Sequence, residues 1–435
     1  MRDASVLAAC LSRLGWSPER LAREINHVCG PGTISEKAPY NWLRGSCPRR
    51  QLPHVVAKIL SARLSEGVSV EALWPRHFAT GARAARATPS ARTPARPREP
   101  PLTDQALVSG AVDWLVADEV TAPSRSRGEE VAPVDIDLLA LRIRQLRQMD
   151  DDRGGRMVLD WTVQDLRWAQ RLAVEYAYDA QVGVRLHRAI AELGQLAGWL
   201  AADLGLEGES RRHFLEALRA ARSAGDRELG AYIVSCMSYR ALWSGQGHDA
   251  LRLIRMARKG TAGAPAGIRQ ALLATREARA HAAVGDQTSC QHHLEQAAEL
   301  SQGAGDDDTP WAYWLTPAVM VADAGRAWLE LGRPDRAEWH LQCGLEMLGE
   351  AQPRNRLLHS ASLAEARLAR EELDGAAEAV TAALDLAENL TSIRARVRLA
   401  GLRRRLRLHQ DSASARQVLE RMDYLLGPSG LRCAS

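Results

Sequence analysis

The feature that most constrains this chain is a turn signal that recurs between long helical stretches of its C-terminal part. When one residue of each turn is taken as an anchor, positions 205, 245, 285, 332 and 372 lie 40, 40, 47 and 40 residues apart. Self-similarity at a period of about 20–50 residues is typical of solenoids, in which each unit packs only against its neighbours. The period therefore predicts a stack of helix–turn–helix units.

Each unit also carries small residues at helical spacing. In most units, the residues three, seven, ten and fourteen positions before the anchor have small side chains. These spacings lie on one helical face, and a face of small residues lets neighbouring helices pack closely. The fifth residue after each anchor is small as well: Ser210, Ala250, Cys290, Ala337 and Ala377. The apolar period is helical and not that of a strand, so we expect an all-α chain with a C-terminal α-solenoid.

Composition divides the chain into three regions, with predicted boundaries of 1–78, 79–134 and 135–435. The middle region is a Pro-, Ala- and Arg-rich flexible linker, in which 104–117 can form one short helix. Residues 1–100 contain 16 Lys and Arg against 7 Asp and Glu, although the whole chain carries a net charge of only +4. This excess of positive charge indicates that the first region binds a polyanion.

We predict five short helices in the first region, over 4–14, 18–28, 38–43, 53–64 and 69–74. Ser17 is a favourable N-cap, and Pro18 suits the first position of the second helix. Two short helices joined by a turn, in a basic unit of this size, are typical of a helix-turn-helix domain.

Packing of the second helix under the third would leave four side chains of the third facing away from the core: Lys37, Tyr40, Asn41 and Arg44. Asparagine can bind adenine edges, and arginine can bind guanine or phosphate. Arg49 and Arg50 suit phosphate contacts that fix the register on DNA. The alternative is a helical hairpin core whose arginines form a solvated face.

A resemblance to a known family adds to this interpretation. The runs GWSPERLAREINHVCG and APYNWLRGSCPRRQLPHVVAKILSARLSEGVSVEALWP resemble the divergent Xre/Cro-type domain of actinobacterial regulators that carry tetratricopeptide repeats. The later runs LGAYIVSCMSYRALWSGQG, REARAHAAVGD and PWAYWLTPAVMVADAGRAWLELG are similar to the repeat region of that family. The 40-residue period exceeds the usual tetratricopeptide period of about 34 residues.

This resemblance implies a transcriptional regulator of development or secondary metabolism in Streptomyces-like bacteria. It implies neither the direction of regulation nor the operator or signal. We expect binding to double-stranded DNA as a homodimer, because paired domains suit two-fold sites. A protein-interaction scaffold whose basic N-terminal domain does not read DNA sequence is the alternative.

The concave groove of the predicted solenoid is the expected binding surface for a small molecule, peptide or protein. Its candidate ligand-binding residues are Tyr232, Cys236, Tyr239, Arg276, Arg279, Trp314, Asp323, Asn355 and His359. The arginines suit a carboxylate, the aromatic side chains suit apolar walls, and the asparagine suits a peptide backbone. The alternative is that the arginines pair with acids of neighbouring units and the aromatic residues fill the core.

No motif supports catalysis, a cofactor or a metal site. Phosphate-loop, nucleophile-elbow and dinucleotide patterns do not occur, and the seven cysteines are scattered. His292 and His293 lie on a predicted helix that offers no carboxylate at metal spacing, and 306–308 lacks the alternating ligands of a calcium loop. Without an 18-residue apolar run or a secretory signal, we expect a cytoplasmic protein with no membrane contact.

Overall fold

The computed structural model describes residues 6–29, 33–48, 52–64, 68–75, 103–117, 121–302, 311–350, 352–388 and 392–427. Within these ranges, every regular element longer than three residues is an α-helix. The expected fold class, an all-α N-terminal domain followed by a helical solenoid, is confirmed. Contacts divide the chain into two units, Met1–Pro97 and Arg98–Ser435. No described helix has the length and apolarity needed to cross a membrane.

The N-terminal unit contains five described helices: α1 Val6–Leu14, α2 Pro18–Cys29, α3 Ala38–Leu43, α4 Leu52–Leu64 and α5 Val70–Leu73. Their bounds lie within two residues of the prediction. The Ser17 hydroxyl accepts a hydrogen bond from the backbone N–H of Arg20 at 3.3 Å, as expected of the N-cap. Leu7, Leu21 and Leu60 are fully buried and join these short helices around one core.

The second unit begins with α6 Asp104–Val116 and continues as a run of antiparallel helices. These are α7 Pro133–Asp152, α8 Arg156–Glu175, α9 Ala180–Asp203, α10 Glu207–Ser223, α11 Arg227–Trp243, α12 Gly247–Gly260, α13 Ile268–Ala283, α14 Gln287–Gln302, α15 Pro317–Glu330, α16 Pro334–Leu348, α17 Pro353–Ala369, α18 Leu373–Ala387, α19 Ile393–Leu406 and α20 Ala413–Leu426. Consecutive helices pair most closely at α9–α10, α11–α12, α13–α14, α15–α16 and α17–α18. The predicted repeat is therefore present as five helix–turn–helix units.

The turn within each unit ends its first helix through a residue of positive φ. Gly205, Gly245, Gly285 and Gly332 have φ values between +69° and +81°, a conformation that glycine adopts without strain. In the fifth unit this residue is Glu371, with φ +64°. The predicted anchor at position 372 is therefore wrong by one residue, because a glutamate replaces the glycine that marks the other turns.

Close packing within the units follows from the small faces. A Cβ added to Gly198 would lie 2.7 Å from the Phe214 ring, and the Ser210 hydroxyl donates to the Gly198 carbonyl at 2.8 Å. In the fifth unit, the shifted register brings Ala376 into the position predicted for Ala377, and Ala376 is fully buried. Small residues at these positions therefore set the distance between paired helices.

The predicted linker extends too far toward the C-terminus. Its residues 79–102 lie outside the described residues, but α6 packs on the solenoid instead of forming part of a free linker. The buried Trp114 side chain packs directly against the backbone of Gly230 and Gly260. A Cβ at either glycine would lie 2.2 Å from the indole, so only glycine leaves room for it. Residues 121–134 also join this unit, through backbone hydrogen bonds between Arg125 and Tyr178.

The start of the solenoid contacts its end. Arg354 on α17 donates to the Asp150 carboxylate on α7 at 2.8 Å. Arg394 on α19 forms a 3.1 Å ion pair with Asp203, at the end of α9, and the Ser392 hydroxyl donates to the same carboxylate at 3.0 Å. These pairs are buried and join residues about 200 positions apart in sequence. They bring the two ends of the helical stack together beside a partly open cavity on its concave side.

Candidate functional site

The cavity between the first helices of the units is partly open to solvent and has a volume of about 90 Å³. This is room for roughly six water molecules, or for a small organic molecule. Side chains from α7, α9, α11, α13, α15, α17 and α19 line it, together with the connection at 311–314. Seven of the nine residues predicted to bind a ligand are in the lining: Tyr232, Cys236, Tyr239, Arg276, Trp314, Asp323 and Asn355.

The other two predicted residues, Arg279 and His359, lie outside the lining. Arg279 is 3.7 Å from the Asp323 carboxylate and so supports a lining residue from behind. His359 is fully buried, and this burial lowers the pKa of its imidazole to about 3. It belongs to the fifth unit, where the one-residue error in the turn misassigned every position along the first helix.

Sequence reasoning missed several charged lining residues. Arg147, Arg354 and Arg394 reach the cavity from the two ends of the solenoid, and a repeat period carries no information about such end-to-end contacts. Trp199 and Arg326, by contrast, occupy the position six residues before the turn, as Tyr239 does. Because Tyr239 was predicted to bind a ligand, the shared position in the repeat was a sequence signal that Trp199 and Arg326 line the same cavity.

Four of the five arginines in the lining have a carboxylate partner. These pairs are Arg147–Glu192, Arg326–Asp323, Arg354–Asp150 and Arg394–Asp203. The fifth, Arg276, is 5% exposed, and its Nη1 has no hydrogen-bond partner among the described residues. A buried charge without a partner is costly unless a counter-ion joins it. The cavity is therefore suited to an anion beside Arg276.

The ring of Tyr239 lies directly under the Arg276 guanidinium, 3.8 Å from its central carbon. Burial by itself raises the pKa of the Tyr239 phenol, but the surrounding guanidinium groups, Arg326 and Arg394 first among them, outweigh burial and lower this pKa to about 6. Arg326 also donates a hydrogen bond to the phenol oxygen at 3.1 Å. The four nearby arginines thus favour negative charge at this oxygen. Arg276 meets the face of the ring and not its oxygen, so Nη1 of Arg276 still has no acceptor among the described residues.

Flat aromatic surfaces form much of the remaining wall. The rings of Tyr232 and Trp311 stack with centroids 4.4 Å apart, and the Trp314 indole donates to the Tyr232 hydroxyl at 3.4 Å. Trp199 stacks on Tyr239 at 5.6 Å. Aromatic walls beside one guanidinium that lacks a partner are chemically suited to a small anion with a flat, apolar body.

A second candidate site is the outer face of α3 in the N-terminal unit. Lys37, Tyr40, Asn41 and Arg44 are exposed there. The opposite face is fixed by Trp42, which is buried and packs edge-on against Trp74, with ring centroids 6.4 Å apart. These positions have helical spacing, so the four side chains share one face.

Local contacts position this face. The Tyr40 hydroxyl donates to the Glu19 carboxylate on α2, and this bond ties the two helices together. The Asn26 side chain forms two 2.9 Å hydrogen bonds with the backbone of Ile34, which fix the connection between α2 and α3. Arg49 and Arg50, predicted to contact phosphate, lie outside the described residues.

Comparison with known proteins supports the extent of the first unit. A family model described as the SP15 N-terminal domain matches residues 7–73, a range that covers α1 to α5. No curated protein matches the chain. The match thus concerns a small part of the sequence, and its description names no activity.

Proposed function

We propose that this protein is a transcriptional regulator that binds double-stranded DNA through α3, and whose solenoid binds a small anionic ligand that changes DNA affinity. The observation that carries the proposal is the exposed face of α3, with Lys37, Asn41 and Arg44 held outward by the buried Trp42. Lysine and arginine neutralise phosphates, while asparagine and arginine discriminate bases in the major groove. The positive charge of residues 1–100 supports the same partner.

The first experiment selects genomic DNA fragments with the full-length protein at near-physiological salt. We expect a few enriched fragments that share a motif, with two half-sites if the protein binds as a homodimer. Enrichment without a motif, lost at modestly higher salt, would instead favour an interaction scaffold with an electrostatic N-terminal tether.

Substitutions on α3 test the assigned face. In the double variant Asn41→Ala and Arg44→Ala, we expect loss of sequence preference, at about 1–3 kcal/mol of discrimination for each base contact. The matched control is Arg63→Ala, which removes an exposed arginine from α4 of the same unit. If preference for the motif survives the double variant, α3 does not read DNA.

The proposed binding of a small anion by the solenoid depends on Arg276 and on the aromatic side chains around it. Benzoate and benzamide have the same shape and differ in charge, so they probe the cavity directly. We expect benzoate, and not benzamide, to raise the melting temperature and to shift DNA affinity. Arg276→Met should abolish both effects, while the exposed Arg252→Met should retain them. Equal responses to the two compounds would contradict an anion site.

A further inference from the structure

A cluster of three metal-binding side chains lies outside the cavity, between the two helices of the third unit. Glu277 and His281 occupy consecutive turns of α13, and His293 lies opposite them on α14. One ligand atom from each residue lies within 4.8 Å of the other two. On its own helix His293 has no carboxylate at metal spacing, and only the packing of α14 on α13 brings Glu277 close to it.

The distances within this cluster do not correspond to direct hydrogen bonds. Nε2 of His281 lies 4.0 Å from Oε1 of Glu277, and Nε2 of His293 lies 3.7 Å from the same oxygen. Both exceed the range of a hydrogen bond. Around a tetrahedral Zn²⁺ with N and O ligands at about 2.0–2.1 Å, neighbouring ligand atoms are about 3.4 Å apart. Shifts of a few tenths of an ångström would therefore bring each imidazole and the carboxylate to coordination spacing, and the three ligand atoms lie within 4.8 Å of one another.

The surrounding residues orient each ligand. Nδ1 of His281 lies 3.1 Å from the Asp286 carboxylate. Nδ1 of His293 lies 3.3 Å from the Gln296 side-chain oxygen and 3.2 Å from Nη1 of Arg258, which is a donor. At His281, a hydrogen bond from Nδ1 to the Asp286 carboxylate leaves the Nε2 lone pair free for a metal, as in carboxylate–histidine–zinc arrangements. At His293, the same tautomer requires Nδ1 to donate to Gln296 while Arg258 donates to Glu277 and Gln296. Arg258 donates to Oε2 of Glu277 at 2.9 Å, so Oε1 is the oxygen that faces the imidazoles.

We propose that Glu277, His281 and His293 form a binding site for a divalent transition-metal ion, with Zn²⁺ as the ion best matched to two imidazoles and one carboxylate. Glu277 and His281 are buried, while the His293 side chain is 17% exposed, which leaves a path for the ion and a solvent molecule as fourth ligand. Arg255 and Arg258 lie near Glu277 and weaken cation binding. We therefore expect a Kd on the order of micromolar.

Bound Zn²⁺ would join α13 to α14 on the side of α13 away from the cavity. Arg276, which precedes Glu277, lies in the cavity lining. The ion would therefore restrain the helix that presents this guanidinium, without contacting the ligand of the cavity.

The test is calorimetric titration of chelator-treated, full-length protein with ZnCl₂. We expect one Zn²⁺ per chain, and a loss of affinity of at least about 100-fold in His281→Ala and in His293→Ala. Asp286→Asn removes the carboxylate beside His281 but keeps an oxygen that can accept from the backbone N–H of Ser289, and it should weaken binding about 10–100-fold. The matched control is His292→Ala, which deletes the exposed neighbouring imidazole and should leave affinity unchanged.

Two further measurements keep the proposal falsifiable. Circular dichroism establishes whether each variant folds. If His281→Ala does not fold, the Zn²⁺ affinity of His293→Ala decides, because the His293 side chain is partly exposed and its removal disturbs the core less. Co²⁺ in place of Zn²⁺ should give the visible absorption of a four-coordinate ion in the wild type and lose it in His293→Ala. Equal Zn²⁺ affinity in wild type and His293→Ala, or an equal loss in His292→Ala, would overturn the site.

Discussion

At the scale of single residues, Arg276 and Arg354 are two buried cavity arginines in opposite situations. Arg354 pairs with Asp150, so Arg354→Met would leave a buried carboxylate alone and should lower the free energy of unfolding by about 3–5 kcal/mol. Arg276→Met leaves no carboxylate behind and loses its stacking on the rings of Tyr239 and Trp314, worth about 2 kcal/mol or less for each ring. Urea unfolding of both variants measures the difference, and equal losses would indicate that Arg276 has a structural partner.

The phenol of Tyr239 gives a second prediction at this scale. Its pKa of about 6 in the folded protein lies below the usual tyrosine value of about 10. Between these values the native state holds the phenolate while the unfolded chain binds the proton. This group therefore makes stability increase with pH across that window, and its contribution is lost as pH falls through about 6.

The ultraviolet absorbance of phenolate reports this ionisation directly. We expect a step near pH 6 in the wild type, its absence in Tyr239→Phe, and its retention in Tyr424→Phe, which alters a 91% exposed tyrosine. A wild-type titration with no phenolate below pH 9 would show that the arginines do not control this group.

At the scale of elements, α6 is held on the solenoid by one large side chain. Trp114→Ala should remove about 3–5 kcal/mol of local packing energy and leave an unfilled space beside Gly230 and Gly260. We expect faster amide hydrogen exchange across α6, with little change elsewhere. Val112→Ala, on the exposed face of the same helix, is the matched control. If exchange in α6 is unchanged, other contacts, such as that of Asp104 with Arg211, suffice to hold it.

The elements themselves were largely predictable, and the reasons are local. Ser17 with Pro18 marks the start of α2, and positive-φ glycines mark the turns of four units. Where Glu371 takes the place of a glycine, that signal disappeared and the predicted register shifted by one residue. The packing of α6 was not predictable, because its partners Gly230 and Gly260 lie more than 100 residues further along the chain.

At the scale of the whole molecule, the cavity depends on closure of the solenoid. The double variant Asp150→Asn and Asp203→Asn removes the carboxylates that pair with Arg354 and Arg394. Both arginines would then be buried without a counter-charge, and they regain hydration if the ends of the stack separate. We expect a larger radius of gyration by small-angle X-ray scattering and a lower melting temperature. Asp160→Asn, which breaks an exposed ion pair, should change neither. An unchanged radius would mean that apolar contacts alone keep the ends together.

The period of the repeat located the cavity residues on α11, α13 and α15, which are 7 of the 20 residues in the lining. The period could not reveal that the two ends of the stack contact each other, because Arg354 and Asp150 meet only when curvature has accumulated over the intervening units. Contacts between the ends of a solenoid are properties of the assembled stack, and no single repeat encodes them.

Contact between the ends of the stack also has a consequence for how local openings spread. In an open stack a displaced unit is restrained only by its neighbours, whereas Arg354–Asp150 and Arg394–Asp203 also tie the last helices back to α7 and α9. Both ends of the stack are then restrained from two sides, so local unfolding at either end costs more free energy than it would in an open solenoid.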